Sequence, residues 1–215
     1  LYEAKLIYYS DTYENKVRTF CMNPGGEVSQ EHYEGGIAVV NGHSYEDMAK
    51  RTGNTNFAML VSTQFTEPFN QPIEYGRYIA QLGNMLTGGP IMVQRLGDLL
   101  KGRRTDASRL RKSTTIPTLQ TAVPGDLSFV LPARHLTSIV EAMKAFDHLV
   151  PGLYSRDTLL YGVEVKFYSS KVLVANNFET AIGGLYCIGD GAGVTRGLMQ
   201  ASVTGMAVAD DITSR

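Results

Sequence analysis

Near the end of the chain, three glycines and an aspartate stand where an apolar stretch gives way to a helix. The sequence LYCIGDGAGVTRG places Gly189, Asp190, Gly191 and Gly193 directly after the apolar residues 185–188. Glycine permits positive φ angles and close approach of a ligand to the backbone, and the free N–H groups of a helix start attract anionic or electron-rich groups. A carboxylate at position 190 would repel a phosphate but could accept a hydrogen bond from a sugar hydroxyl. The pattern predicts one half of a nucleotide-binding cradle.

The predicted cofactor-binding residues run from the turn into the first turn of the helix. Arg196 is notable because a cation at a helix start opposes the helix dipole, which suggests that it pairs with Asp190 or reaches a ligand. The glycine spacing is GxGxG and not the GxGxxG of dinucleotide folds, since position 194 is Val. A purely structural strand-to-helix turn is therefore an equal alternative. The complete predicted set is Gly189, Asp190, Gly191, Ala192, Gly193, Thr195, Arg196, Gly197 and Leu198.

Two further residues are weak catalytic candidates. Cys21, in TFCMNPGG, could be a redox thiol, although a buried strand cysteine acting as a small hydrophobic residue is favoured because no CxxC partner exists. His43, in VNGHSYED, is the histidine best suited to general acid–base work, although an ordinary turn residue is favoured. The four histidines show no metal-ligand spacing, so no metal site is predicted; they are His32, His43, His135 and His148.

The segment KGRRTDASRLRKSTT carries most of the local positive charge. It lacks apolar periodicity, so the sequence predicts an exposed basic loop that is solvated or that binds phosphates or an acidic substrate. No aromatic residues interleave the cations, which disfavours nucleic-acid binding.

Composition limits the classes of function. Lys plus Arg is 20 and Asp plus Glu is 21, so the formal net charge of −1 gives no general attraction to nucleic acid or to anionic membranes. No apolar run approaches the about 20 residues of a membrane span. Two distant cysteines form no disulfide framework, which favours the reducing cytoplasm. The chain begins with Leu1 close to a strand-like segment, and we expect it to be a piece of a longer protein.

The elements that would position these residues fall into two groups. Strand-like segments fill the first 65 residues, helices are predicted to follow Pro72 and Pro132 and to occupy Ile91–Lys101, and apolar strands are predicted again after residue 156. A helix is predicted from about Gly197 to the end of the chain, and it carries no charge as far as Ala209. Gly197, Ala201, Gly205 and Ala209 form one smooth face for close packing. The expected early strands are KLIYY, VRTFCM, GIAVV and NFAMLVST, and the late ones are TLLYGVEVKFY, VLVAN and GLYCI. The fold class expected is a mixed α+β fold with domains at 1–155 and 156–215.

The stretch ETAIGGLYCIGDGAGVTRGL resembles the C-terminal flavin motif of glutathione-reductase-type FAD proteins. Much of the remaining chain is similar to a bacterial family of FAD-dependent dehydrogenases, in RTFCMNPGGEV, VVNGHSY, PGDLSFVLP and DTLLYGVEVKFYSS. The resemblance implies that the Asp190 position binds the ribityl chain of FAD, that Thr180 and Gly189 belong to the motif, and that the final helix points at the pyrimidine end of the flavin.

The resemblance also implies what accompanies this chain. Family members carry an upstream GxGxxG dinucleotide fold, which would be the missing partner region, so that residues 1–155 form an inserted substrate-side domain and residues 156–215 the last strands and helix of a Rossmann-like FAD-binding domain. The implied function is flavin-mediated hydride or electron transfer by an oxidoreductase, with FAD bound in the longer protein and the isolated chain without it. The alternative is a non-catalytic ligand-binding or interaction domain of similar shape.

Overall fold

The computed structural model describes residues 5–166, 171–195 and 197–214. These residues form two compact units that divide between Val165 and Lys166, and each unit is described here by itself. Strands and helices of the described residues, in chain order, are β1 (Ile7–Tyr9), β2 (Lys16–Pro24), β3 (Glu27–Tyr33), β4 (Ile37–His43), β5 (Thr55–Val61), α1 (Pro72–Thr87), β6 (Met92–Arg95), α2 (Leu96–Leu99), α3 (Ala107–Arg111), β7 (Val123–Pro124), α4 (Ala133–Phe146), β8 (Leu159–Gly162) and α5 (Leu198–Thr213).

An antiparallel sheet in the order β1-β2-β5 opens the first unit. Helix α4 packs on this sheet through an apolar stripe, and Val17 of β2 is fully buried against Ala142 and Phe146 of the helix. The stripe recurs at helical spacing along α4, so the expected helix after Pro132 is confirmed.

Strands β3 and β4 form an antiparallel hairpin, in which Glu27 pairs with His43 and Tyr33 pairs with Ile37. Strand β4 is buried on both faces: Ile37 and Val39 enter one apolar cluster with α1 and β6, while Ala38 and Val40 enter another around Ile91. This explains why the segment is apolar at successive positions, where a half-buried strand would alternate.

The third sheet has the order β7-β6-β8, with β6 parallel to β7 and antiparallel to β8. Its central strand corrects the helix expected over Ile91–Lys101, because Met92–Arg95 is a strand and only Leu96–Leu99 is helical. The side chains of Met92, Val93 and Gln94 are all buried, so the apolar run fits a central strand with neighbours on both edges.

Helix α1 confirms the expectation of a helix starting at Pro72, the first helical residue. Its last residue is Thr87, and the left-handed φ of 74° at the following Gly88 lets the backbone leave the helix. Ala80 is fully buried against β4 and the Leu127 region, so this helix closes the larger apolar cluster.

The second unit contains α5 and the turn before it, but few of the expected strands. Residues 172–176 form no strand, and the expected strand at 184–188 is reduced to a single bridge between Glu179 and Tyr186. Both expectations were wrong, because an apolar sequence becomes a strand only when another strand accepts its hydrogen bonds. The smooth face of α5 is only partly covered, since Ala201 and Gly205 are half-buried beside Gly189 and Ile188, whereas Ala209 is exposed.

The mixed α+β class expected from the sequence is confirmed. Strand β8 pairs with β6 and so belongs to the first unit, although the sequence pattern had suggested a boundary near residue 155. Whether the segment after residue 155 completes a separate FAD-binding domain remains a prediction.

His135, in the first turn of α4, provides a pH-dependent prediction for the first unit. Partial burial, with a smaller contribution from neighbouring Arg134, lowers the pKa of its imidazole below the ordinary value. The unfolded chain then binds the proton more readily, so stability is fully present above the ordinary histidine pKa of about 6.5 and decreases as the pH falls through it.

We expect the midpoint of urea unfolding to decrease between pH 7 and about pH 5, and the His135→Gln variant to show a flatter profile over that interval. Asp157 also contributes to stability, because the hydrogen bond from Arg95 is the main cause that lowers the pKa of its carboxyl group. That contribution is lost only at a lower pH, outside this interval. An equal slope in wild type and His135→Gln would remove His135 as the cause.

Candidate functional site

The glycine turn in the second unit has the backbone geometry that the sequence suggested. Gly189 has φ 71° and ψ −164°, a conformation that only glycine adopts readily, and Gly193 is left-handed at φ 72°. Between them, Asp190–Ala192 forms one turn of 3-10 helix. The turn redirects the chain toward the start of α5 within a few residues.

The Asp190 side chain is exposed, but one of its oxygens is already engaged. Oδ1 accepts hydrogen bonds from the Thr195 hydroxyl at 2.5 Å and from the Gly197 N–H at 3.2 Å. The carboxylate therefore fastens the segment that leads into α5, while the exposed residue remains accessible from solvent. A negative charge at this place is also favourable for the helix dipole.

The start of α5 lacks a side-chain cap. Gly197 precedes the helix, and no side chain among the described residues caps it, so these first N–H groups are available to a ligand or to water. Leu198 is 89% exposed and Met199 is 78% exposed at the same end. The structure thus combines uncapped helix donors, an exposed carboxylate and a glycine turn on one side of the unit.

Thr204 of α5 supports the glycine turn through hydrogen bonds, although sequence reasoning did not select it. It is 6% exposed, its hydroxyl accepts the Gly189 N–H at 3.1 Å and donates to the Ala201 carbonyl at 2.7 Å. A second hydrogen bond that stabilises the turn runs from the Val172 N–H to the Ala192 carbonyl. In the sequence, Thr204 stands out only as one of three polar residues in the uncharged stretch 198–209.

The predicted binding residues are therefore mostly gathered at one place. Among them, Ala192 and Thr195 are buried, and Gly191 and Leu198 are exposed. Arg196 lies outside the described residues, so its suggested pairing with Asp190 stays a prediction. Thr180, which the resemblance included, donates to the Ile182 carbonyl and receives the Ile182 N–H.

Cys21 and His43 lie in the first unit, on β2 and at the end of β4. Cys21 has a positive φ of 47° at a register shift between Phe20 and Asn23, and its side chain is half-buried. His43 is exposed, and within the described residues no hydrogen bond or ion pair engages its ring. The two side chains form no hydrogen bond with each other, and their catalytic roles remain predictions.

Two asparagine side chains close to Cys21 pack against Gly26 and Gly42. Asn23 Nδ2 donates to the Cys21 carbonyl at 2.7 Å and to Asn56 Oδ1 at 3.0 Å. A Cβ at Gly42 would lie 2.0 Å from Asn56 Oδ1, and one at Gly26 would lie 2.2 Å from the His43 carbonyl. These contacts show a tightly packed polar network with the character of a structural element.

The basic segment differs from the exposed loop that the sequence predicted. It contains α3, and Thr105 within it is fully buried. The fully buried Asp98 accepts from Arg103 Nε and Nη2 at 2.9 and 2.8 Å and from the Thr105 hydroxyl at 2.9 Å, and Arg95 Nη1 lies 3.6 Å away. The buried carboxylate of Asp98 thus holds Arg103 in place by hydrogen bonds and an ion pair.

The described residues offer neither a cluster of metal ligands nor a membrane-spanning helix. Over ranges 5–166, 171–195 and 197–214, no group of three or more His, Cys, Asp or Glu residues is arranged to hold a metal ion. Within the same ranges, no helix combines the length and the apolar character needed to span a membrane.

Residues 3–167 match the model of the family described as FAD-dependent protein, C-terminal domain-like. The match covers well over half of the chain and includes almost the whole first unit. The chain belongs to this family. The glycine turn of the second unit lies beyond the matched residues, so membership in the FAD-dependent C-terminal family rests on the first unit alone.

A curated relative extends the similarity over the second unit. A Clostridium beijerinckii (strain ATCC 51743 / NCIMB 8052) protein described as uncharacterized is 30% identical over 223 residues, covering 99% of this chain and 40% of its own length. The chain thus spans less than half the length of this relative.

Proposed function

We propose that this chain is the C-terminal part of an FAD-dependent oxidoreductase and that residues 189–198 hold part of the FAD in the longer protein. The family description and the open glycine turn support the proposal. Bound FAD would supply hydride or electron transfer, and the residues of this chain would bind, orient and shield it. The single observation that carries the assignment to the turn is the uncapped start of α5 beside the exposed Asp190.

The residues of the turn suit the polyol and ring of a flavin better than a phosphate. Asp190 Oδ1 is fixed by Thr195 and Gly197, so the carboxylate is pre-oriented to accept a hydrogen bond from a hydroxyl group. The N–H groups after Gly197 would donate to the electron-rich edge of the ring. Thr204 would hold Gly189 in the conformation that keeps this edge open.

The uncovered apolar surface of α5 supports a further polypeptide partner. Leu198, Met199 and Met206 are 89%, 78% and 66% exposed on a helix whose residues 198–209 carry no charge. Exposed apolar side chains concentrated on one uncharged stretch of helix favour contact with another polypeptide. We propose that a dinucleotide-binding region, of the kind that the additional length of the relative could provide, covers this face.

The proposed setting is the cytoplasm. The proposal rests on cysteine usage, since the chain has two cysteines far apart in the sequence, which is typical of proteins of a reducing compartment.

The full-length polypeptide that carries this chain tests the proposal. Purified under native conditions, it should be yellow and should release FAD on denaturation, identified by chromatography against FMN and riboflavin standards. A folded, colourless polypeptide that takes up no FAD on titration would contradict the proposal and favour a non-catalytic ligand-binding or interaction domain.

The isolated 215-residue chain should bind FAD only weakly. In dinucleotide folds the adenosine and pyrophosphate contact the first βαβ unit, so the turn at 189–198 alone would supply a minor share of the binding free energy. Titration followed by flavin fluorescence is expected to show no saturation in the submicromolar range. Submicromolar affinity would contradict the proposed division of the binding site.

A further inference from the structure

A strong positive charge is concentrated in one segment of the first unit. Residues 95–112 contain seven Lys or Arg and two Asp, a net charge of +5 in a chain whose total is −1, so the remaining residues carry −6. Five of the cations are exposed: Lys101, Arg103, Arg104, Arg111 and Lys112. Such an asymmetry produces a local positive potential that the overall charge conceals.

The backbone that carries these cations is fixed by buried groups. Gln94 is fully buried, its Nε2 donates to the Arg103 carbonyl at 3.0 Å, and its Oε1 accepts the Leu127 N–H at 2.8 Å. The Arg103 N–H donates to the Asp98 carbonyl, and the Thr105 N–H donates to the Gly125 carbonyl. A partner therefore meets cations on a backbone that is already ordered around Arg103 and Thr105.

Most of the exposed cations are not neutralised by neighbouring acids. In the described part of the chain, Lys101, Arg111 and Lys112 form no ion pair; Arg104 lies near Asp106, which is paired with Arg109, and its one hydrogen bond is a long one of 3.4 Å to the Pro124 carbonyl. The buried Asp98 compensates Arg103 from the inside. The outward charge of the segment is thus available to an external anionic group.

Two exposed apolar side chains flank the cations. Phe129 is 71% exposed and Leu100 is 45% exposed. Gln94 bonds both the Leu127 N–H and the Arg103 carbonyl, so the short turn that ends at Phe129 lies beside the segment that carries the cations. Arginine combined with an aromatic residue is characteristic of the energetically important centre of protein interfaces.

We propose that residues 100–112 and Phe129, together called the arginine surface, form a docking site for a protein whose contact face is acidic. Helix α3 has only five residues, so the segment offers no extended helix start as a phosphate site. One aromatic side chain also provides no stacking row for a nucleic acid. The proposal does not depend on the flavin assignment, because every contributing residue lies in the first unit.

The test uses the full chain and a fluorescently labelled acidic peptide of Glu and Leu as the probe. Anisotropy at low salt should show saturable binding that weakens as the salt concentration rises. The variant Lys101→Glu/Arg104→Glu/Arg111→Glu should bind at least about tenfold more weakly, and Phe129→Ala about threefold more weakly, because both charge and apolar contact contribute. A charge-matched control, Lys50→Glu/Lys144→Glu/Lys171→Glu, should retain most of the affinity.

Thermal melts of all variants establish that they are folded before binding is compared. Binding that is lost in both triple variants alike, or that is insensitive to Phe129→Ala, would indicate non-specific attraction and overturn the proposal. Tighter binding of pyrophosphate or a single-stranded oligonucleotide at the same residues would overturn it in favour of a phosphate ligand.

Discussion

We expect the Asp98→Ala variant to lose about 3 kcal/mol of unfolding free energy, the largest loss among the ion-paired residues of the first unit. The Asp98 side chain is 1% exposed, and its removal leaves the Thr105 hydroxyl buried without its acceptor and Arg103 without its partner. Arg103 is 42% exposed and can recover water, which places the loss at the lower end of the range for broken buried pairs.

Urea unfolding at neutral pH measures this loss, with Glu34→Ala as the matched control. Glu34 also faces an arginine, at 3.9 Å from Arg77, but its side chain is 91% exposed, so its removal should cost less than about 1 kcal/mol. Equal losses in the two variants would show that burial of Asp98 has no energetic consequence.

The Gly42→Ala substitution should destabilise the first unit by about 2–3 kcal/mol. The new Cβ would lie 2.0 Å from Asn56 Oδ1 and 2.7 Å from Asn23 Nδ2, and those two amide groups are bonded to each other. Neither can move without breaking that hydrogen bond, so the strand pair must deform. Thermal unfolding should show a decrease in Tm of roughly 4–10 °C.

Gly53→Ala and a double variant make this prediction specific. Gly53 is exposed with no atom within 4 Å of an added Cβ, so its substitution should leave Tm nearly unchanged. Adding Asn56→Ala to Gly42→Ala removes the atom that the Cβ meets and should restore part of the loss. A double variant no more stable than Gly42→Ala alone would show that the close contact is not the cause.

The sequence was most informative where one element alone determines the pattern. The apolar stripe of α4 and the proline and glycine that bound α1 predicted those helices because helical periodicity and end signals are local. Strand β3 was missed since its residues EVSQEHY are polar, and it forms by pairing with the buried β4. Periodicity could not separate the short strand β6 from a helix, because both faces of Met92–Arg95 are enclosed.

In the candidate site too, features decided by local sequence could be predicted, and features decided by distant contacts could not. The glycines at 189 and 193 identified the turn because few other residues adopt its φ angles. The positions of Asp98 and Thr204 could not be predicted, since each depends on partners that only the fold brings near, such as Arg103 and Gly189. The missing strands at 172–176 and 184–188 illustrate that strand formation is decided by a neighbour and not by the segment itself.

The most direct test of the flavin assignment is the FAD dissociation constant of the full-length polypeptide with and without the Asp190 carboxylate. The apoprotein of wild type, Asp190→Ala and the control Asp210→Ala, an exposed residue near the other end of α5, would be titrated with FAD. We expect Asp190→Ala to bind at least about tenfold more weakly, since a charged hydrogen bond is worth about 1.5 kcal/mol or more, and Asp210→Ala to bind like wild type. Equal affinity of all three proteins would contradict the assignment of the flavin to the turn at Gly189–Gly193.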